Sequence, residues 1–531
     1  MNKVLKIKDS VFGYIPIDDD DVYFVLNSAM FHRLQDIIQT SYTSVYPSAV
    51  HDRFIHSLGV YYLGKIAAEK LKKNIINNQL VDESEIDKLC KAFILACLMH
   101  DIGHSPFSHT GEKFYILDSE DNPKIWKELV QELIDDSNLE TDANGKMKGK
   151  AHEVMSALIS LKKFPQLFEG LDKSFFARCI IGLKYTDRSN IKNCFIELLN
   201  SDTIDVDKLD YLIRDSYFTG FNTIKIDYER LLNSVCIIKN DNFYELGFEK
   251  AALSTLESVI LAHDMERKWI QNHPVIKYED LLITYILSKV QEHFSKKGID
   301  IFVADALSES GIGTEPDRIL LLSDSDINSY AKRFLYDDPK VKEYYSRNLR
   351  KKSLWKSESE YLLNIALRGC DGDLLQELEN RITSLEKFLV DKLNFPVLND
   401  EALEFLKSEC DTEFLPDNFK VAKKQEMEKS LAIITFFKDY AKKSNIPFEF
   451  VVVSANQFAT GFNKINFKEI KVKFSENKFE KLDKILNLVS ANEVRKNFFY
   501  VMVDCESKQK IDINDFSTEL VTFILREYNK K

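Results

Sequence analysis

From Tyr23 to about Val290 apolar residues recur at i, i+3 and i+4, and segments 22–40, 54–78, 86–100, 151–161, 192–215, 228–238 and 249–294 can each present one apolar stripe. Few Gly or Pro residues interrupt them, and Pro47, Pro106 and Pro274 fall where loops or helix starts are wanted. The N-terminal two-thirds is therefore expected to be all-α. Past about residue 340 the texture changes. Helical stretches at 357–393, 400–410 and 423–443 give way to β-branched and aromatic runs, PFEFVVVSA, KEIKVKF and NFFYVMVD. These runs predict strands of one small sheet, covered by helices at 477–489 and 516–529. The expected fold class is mainly α: a helical core over residues 1–340 and a smaller α+β C-terminal lobe over 341–531. No internal repeat of fixed period and no low-complexity tract breaks this pattern.

Composition narrows the class of molecule. Hydrophobic residues at 44% and charged residues at 29% are the proportions of a folded globular protein. The formal charge of −12 argues against a chain whose main business is coating nucleic acid, so an anionic substrate must be held by a local pocket. Eight cysteines are scattered without a CxxC pair, which reads as buried free thiols rather than a disulfide framework. The first residues, MNKVLKIKDSVFGYIPIDDDD, hold no uninterrupted apolar region, and no later stretch reaches the roughly 18 apolar residues of a spanning helix. The expected location is the cytoplasm, away from any membrane.

Candidate chemistry concentrates in one window. Seven of the ten histidines (His32, His51, His56, His100, His104, His109 and His152) lie between positions 32 and 152, where a uniform scatter would put about two. Within it LACLMHDIGHSPFSHTGE ends an apolar helix in His100-Asp101 and then breaks at Gly103 and Pro106. An imidazole nitrogen and a carboxylate oxygen side by side suit a borderline metal such as Fe, Mn or Zn better than an all-oxygen Mg site. An HD dipeptide alone is more often a capped or solvated helix end, and its company changes the odds. Upstream, Arg53 and His56 precede an apolar helix; downstream, DTIDVDKLDYLIRDSYFTG carries Asp207 in a run of acids on helical spacing. Asp205, Asp207 and Asp210 cannot all face one metal. One helix could supply Asp207 to the metal and Lys208, Tyr211 and Asp215 to a ligand, by the i, i+3 and i, i+4 rule.

The order His56, His100-Asp101, Asp207 resembles the HD superfamily of metal-dependent phosphohydrolases. The strings FHRLQDIIQTS, YPSAVHDRFIHSLGV, MHDIGHSPFSHTGE, HEVMS and IDVDKLDYLIRD are similar to its deoxynucleoside triphosphate triphosphohydrolase branch, which includes the SAM-and-HD-domain protein of animals and bacterial dGTPases. The likeness covers roughly residues 10–300. It implies a helical HD-domain core in which His56, His100, Asp101 and Asp207 hold one divalent transition metal (Fe, Mn, Zn or Co), with Mg accompanying the triphosphate. It also implies that Arg53 and His104 contact phosphate and that Lys208 and Tyr211 hold the outer phosphates, chemistry that an Arg fork and an ammonium suit. His109 and Glu112 resemble the branch's catalytic pair, His152 another pocket histidine, and Gln39 and Asp215 the partners of the sugar 3′-hydroxyl.

The sequence departs from the branch in three places. Thr40 stands where close relatives carry a leucine that packs under C2′ and excludes ribose. In LAHDMERKWIQNHPV, His263 and Gln271 occupy positions where an Arg and a Tyr are usual, with Arg267 one turn away; either Arg267 and Trp269 rebuild the triphosphate clamp or the substrate differs. NSAMFHRLQD shows Asn27 and Gln35 instead of the Asp and second Arg that read an activating guanine nucleotide in the animal branch, so guanine-triggered assembly is not carried over.

The expected activity is hydrolysis of deoxynucleoside triphosphates to deoxynucleoside and inorganic triphosphate. Nucleotide pool control and antiviral dNTP depletion both fit it. The resemblance further implies a homo-oligomer (dimer, tetramer or hexamer) and leaves room for an allosteric nucleotide. Two alternatives stand beside this: another HD phosphohydrolase acting on nucleoside monophosphates or other phosphoesters, and a nucleotide-sensing or nucleic-acid-binding scaffold with a vestigial site.

Overall fold

The computed structural model describes residues 5–114, 149–221, 225–240, 243–299, 301–302, 321–365, 368, 372–410, 417–456, 469–475, 478–486 and 497–528. The chain is mostly helical, as expected, and folds as two compact units.

The first unit comprises Met1–Glu266, Lys289–Phe334 and Thr460–Ser490. It opens on an antiparallel hairpin, β1 (Leu5–Asp9) and β2 (Gly13–Ile17), which the helical spacing did not announce. The central element is the helix Arg53–Asn77, started by Asp52, whose side chain accepts from the Ile55 N–H. It packs on the helix Glu83–Met99 at short range, because a Cβ at Gly64 would lie 2.5 Å from Cys97 Sγ. The helices Ala151–Lys163, Lys173–Ile181, Lys192–Leu199 and Val206–Thr219 complete the scaffold. The last is capped at one end by Asp205, accepting from Lys208 N–H, and stopped at the other by Gly220 at φ 69°.

Three expectations for individual elements are corrected. The span 228–238 is helical only over Tyr228–Asn233 and then turns into β3 (Val235–Asn240), because VCII satisfies a buried strand as well as a helix stripe. The run KEIKVKF does not join the other two strands: β8 (Lys471–Ser475) pairs in parallel with β4 (Phe243–Glu249), Phe248 opposite Val472, in a sheet of order β3-β4-β8-β9. The expected helix at 477–489 begins as β9 (Lys478–Lys481), antiparallel to β8, followed by a 3-10 turn Leu482–Lys484; residues 487–489 lie outside the described set.

The second unit comprises Arg267–Ser288, Leu335–Ala459 and Ala491–Lys531. Its sheet, of order β5-β10-β7-β6, is built on β7 (Phe450–Asn456) and β10 (Asn497–Val503), flanked by β5 (Lys352–Ser353) and β6 (Val397–Leu398). Helices Gly372–Leu393 and Ile513–Tyr528 cover it around fully buried Trp355, whose indole N–H donates to the Phe499 carbonyl at 2.8 Å. The two units interleave in sequence, where a single boundary near residue 340 was expected; the β8–β9 hairpin belongs to the first because it extends that unit's sheet.

Candidate metal and catalytic site

Three helices of the first unit converge on one point. His56 sits one turn into the helix Arg53–Asn77, His100 caps the end of Glu83–Met99, Asp101 follows it, and Asp207 lies in the first turn of Val206–Thr219. One ligand atom each from His56, His100 and Asp207 lies within 4.8 Å of the others. His56 Nε2 is 3.1 Å from Asp207 Oδ1 and 3.5 Å from Asp101 Oδ2, and His100 Nε2 is 3.4 Å from Asp101 Oδ1.

The outer nitrogens explain how the inner ones are aimed. His100 Nδ1 lies 3.0 Å from the Cys97 carbonyl, an acceptor only, so Nδ1 carries the proton and buried Nε2 presents its lone pair with no hydrogen-bond partner. His56 Nδ1 lies 2.6 Å from Asp210 Oδ2, the carboxylate–histidine arrangement that fixes the ring of a metal ligand. Two nitrogens and two carboxylates, one nitrogen buried and unpartnered, form a donor set that fits a divalent transition metal.

Charge is balanced against burial throughout. Burial disfavours the His56 imidazolium, but hydrogen bonds to Asp207 and Asp210 outweigh it and push the ring up to about 10. Burial also opposes ionisation of Asp101, and the Arg53 guanidinium with His100 and His104 still holds it well below the ordinary carboxylate range. Arg53 Nη1 is 2.6 Å from Asp101 Oδ2, and Nε donates to Ser108 Oγ at 2.8 Å.

A second group lies beside the first. Glu112 Oε1 is 2.6 Å from His109 Nδ1, 2.8 Å from His152 Nδ1 and 3.8 Å from His104 Nδ1. Burial would raise Glu112, yet His152 and the bond from His109 keep it ionised. His104 is fully buried with neither nitrogen hydrogen-bonded, and its Nε2 stands 3.4 Å from Asp101 Oδ1, so it faces both groups. Burial, with Arg53 and His152 nearby, holds it well below the usual imidazole range. The loop between His104 and His109 places Phe107 and Ser108 at φ 57° and 53°, left-handed values that cost a non-glycine residue about 1–2 kcal/mol each. Asp324, accepting from Phe107 N–H at 2.6 Å, and Ser108 Oγ, donating to the Ile38 carbonyl at 2.7 Å, hold it there.

Asp215 and Lys208, expected to meet the sugar and the outer phosphates, have partners within the protein. Asp215 is buried and bonded at 2.7 Å to His51 Nε2, a histidine that the sequence singled out only by its place in the cluster. Gln39 Oε1, Thr40 Oγ1 and His51 Nδ1 are buried without a hydrogen-bond partner among the described residues. Lys208 does not reach free into the site: its ammonium pairs with Asp205 Oδ2 at 2.5 Å and donates to the Ser201 carbonyl at 2.6 Å. Tyr211 is held well above its ordinary range by burial among Glu266, Asp207, Asp205 and Asp215. Arg267 belongs to the second unit, where it opens the π-helical turn Arg267–Gln271.

Sequence reasoning missed His51, Asp210, Arg214 and Asp9. The i, i+4 spacing of Asp210 and Arg214 was the available signal for the middle two. Nothing local marks Asp9.

Residues 53–166 match the family model described as HD domain. An uncharacterized protein of Mycoplasma genitalium is 30% identical over 48% of this chain and 53% of its own length. A protein of Dictyostelium discoideum named as a deoxynucleoside triphosphate triphosphohydrolase SAMHD1 homolog is 28% identical over 47% of this chain and 45% of its own. The deoxynucleoside triphosphate triphosphohydrolase SAMHD1 of Bos taurus is 26% identical over 73% and 66%. The chain spans about half the length of the first curated relatives it matches. Among solved structures, a hypothetical protein from Aquifex aeolicus superposes with a TM-score of 0.55 at 17% identity, over 98% of this chain and all of that one. A phosphohydrolase from Bacteroides thetaiotaomicron gives 0.51 at 17% identity, over 94% and 100%. These two share the fold. No helix among the described residues is long and apolar enough to cross a membrane.

Proposed function

We propose that the HD domain carried by this chain hydrolyses deoxynucleoside triphosphates to deoxynucleoside and inorganic triphosphate, with water attacking the α-phosphorus. The observation that carries the reading is the pair of adjoining groups: His56, His100, Asp101 and Asp207 on one side, His109, Glu112, His152 and His104 on the other, joined where His104 Nε2 meets Asp101. The relatives named as deoxynucleoside triphosphate triphosphohydrolases support this choice of substrate class.

His56, His100, Asp101 and Asp207 would hold one divalent ion of Fe, Mn, Zn or Co, with Mg entering on the triphosphate. Such an ion, when bound, supplies Lewis acidity toward a phosphoryl oxygen and lowers the pKa of water. Arg53 keeps the Asp101 carboxylate turned toward the ligand set. Glu112 accepts the Nδ1 proton of His109 and leaves Nε2 of that half-exposed ring to exchange a proton with the reacting oxygen. Buried, unprotonated His104 can donate one hydrogen bond to an α-phosphate oxygen. Gln39 and Asp215 would take the sugar 3′-hydroxyl, with His51 fixing the carboxylate. Five buried free thiols suit the reducing cytoplasm, where we place the activity.

A second reading has one observation behind it. The engagement of Lys208 with Asp205, together with His263 and Gln271 at the clamp positions, suits a substrate with fewer phosphates. Incubation with each dNTP, NTP and nucleoside monophosphate under Mn, Fe, Mg and Co, with chromatographic separation, decides between them. Release of intact triphosphate from dNTPs supports the first; orthophosphate from monophosphates alone supports the second and overturns the first.

A further inference from the structure

Behind His56 a buried chain of charge leads away from the site to the N-terminal hairpin. Asp9 Oδ1 builds the turn of that hairpin, accepting from Val11 N–H at 2.8 Å and Phe12 N–H at 2.7 Å. Its other oxygen, Oδ2, takes Arg214 Nη1 at 2.9 Å, and the Phe12 ring lies 5.5 Å from the same guanidinium. Arg214 then forks onto Asp210, with Nε to Oδ2 and Nη2 to Oδ1 both at 2.9 Å. Asp210 Oδ2 ends the chain at His56 Nδ1, 2.6 Å away. All four side chains are at most 1% exposed. The long helix makes room for them at Gly59, one turn from His56, where a Cβ would lie 1.9 Å from Asp210 Oδ1 and 2.4 Å from Arg214 Nη2.

We propose that Asp9, Arg214 and Asp210 are positioning residues that couple docking of the β1–β2 hairpin to cation binding at His56. Asp210 fixes the proton on Nδ1 and so points the Nε2 lone pair at the ligand set. The bidentate fork of Arg214 fixes Asp210 in turn, and Arg214 Nη1 has its carboxylate partner, Asp9, only while the hairpin is seated. The three groups carry two negative charges and one positive, all but fully buried. The excess negative charge on Asp210 strengthens His56 as a donor, and a cation beyond the ring compensates it. Because coupling is reciprocal, whatever factor hairpin docking adds to cation affinity, cation binding adds to hairpin docking.

This rests on His56 being a metal ligand, as proposed above. Mn(II) affinity of the full chain, read by electron paramagnetic resonance of the free ion, and hydrogen–deuterium exchange of residues 5–17 with and without Mn(II), test it. Asp210→Asn and Asp9→Asn are expected to weaken Mn(II) binding about 10–100-fold, the usual range for partners of a metal-bound histidine. Asp9→Asn retains an acceptor for the Val11 and Phe12 N–H groups, so it tests the link even if Asp210→Asn fails to fold. Mn(II) should slow exchange in the hairpin of the parent and not of Asp9→Asn. Parent affinity in Asp9→Asn, or hairpin exchange indifferent to Mn(II) in the parent, overturns the coupling alone. A parent chain that binds no divalent ion overturns both the coupling and the metal reading.

Discussion

His109 Nδ1 and Glu112 Oε1 stand 2.6 Å apart, three residues from each other, and the same carboxylate oxygen is shared with His152. Glu112 therefore orients two imidazoles at once. Glu112→Gln and His109→Ala are expected to lower kcat by about 100- to 10,000-fold with little change in KM, the pattern of groups that act in the transition state. The double variant should lose little more than the worse single one. Equal rises in KM with kcat preserved would remove the pair from the chemistry.

The quartet makes a prediction about stability as well as rate. A cation that binds only the folded chain stabilises it by about 2.7 kcal/mol when its free concentration is 100 times its dissociation constant. Mn(II) should thus raise the unfolding midpoint of the parent, and chelation should reverse the rise. Asp207→Ala is expected to keep the fold, lose the bound ion by elemental analysis and show no response.

In the proposed reading the sugar meets Gln39 and Asp215, and Gln39 Oε1 and Thr40 Oγ1 are buried without a hydrogen-bond partner among the described residues. A 3′-deoxy substrate would strand Gln39 and Asp215, at roughly 1–3 kcal/mol, so its kcat/KM should fall about five- to more than a hundredfold. Thr40→Leu replaces a hydroxyl by bulk and should widen the dNTP/NTP ratio of kcat/KM. Matched kinetics on the two proteins measure both effects, and an unchanged ratio would place residue 40 away from the sugar.

In the second unit, Glu386 accepts the Ser454 N–H at 2.7 Å, but burial outweighs that bond and pushes its carboxyl up to about 7. The sign follows from proton uptake. Between the ordinary Glu range and pH 7 the folded chain holds a proton that the unfolded chain has released, so this residue's contribution falls as pH rises through that window. Glu386→Gln should match the parent near pH 4 and exceed it by about 1–3 kcal/mol at pH 8, read by denaturant unfolding. A difference independent of pH would assign Glu386 no titration there.

Gly59→Ala sets a methyl group against the Asp210–Arg214 pair. Overfilling of this kind costs about 1–3 kcal/mol. Loss of thermal stability together with weaker Mn(II) binding is expected, and a variant indistinguishable from the parent would show that the pair shifts freely.

What could be read in the sequence was whatever lies close together along it. The His100-Asp101 dipeptide, the His109–Glu112 pair and the helices that carry them are short patterns whose spacing survives in one dimension, whereas joining them to His56 and Asp207 took the resemblance. The acid run around Asp207 was legible as a segment but not in its division of labour: Asp205 caps its helix and grips Lys208, Asp207 faces the ligand set, and Asp210 turns inward to His56 and Arg214. The bond from Arg214 to Asp9 spans 205 positions, and nothing near either residue marks it. Lys208 was assigned by helical spacing and by resemblance, neither of which can show that a neighbouring carboxylate claims it. The error at KEIKVKF has the same origin: a strand's composition says that it will pair, not with what.

The parallel pairing of β8 with β4 carries a consequence for synthesis. More than two hundred residues separate the two strands, roughly 10–40 s of translation at 5–20 residues per second. Until Lys471–Ser475 leaves the ribosome, β4 offers an open edge, although the residues of the candidate site have long since emerged. A nascent chain stalled before residue 471 would therefore expose a strand able to recruit another, and ribosome-bound chains of increasing length should resist protease at the β3–β4 hairpin only after that strand is out.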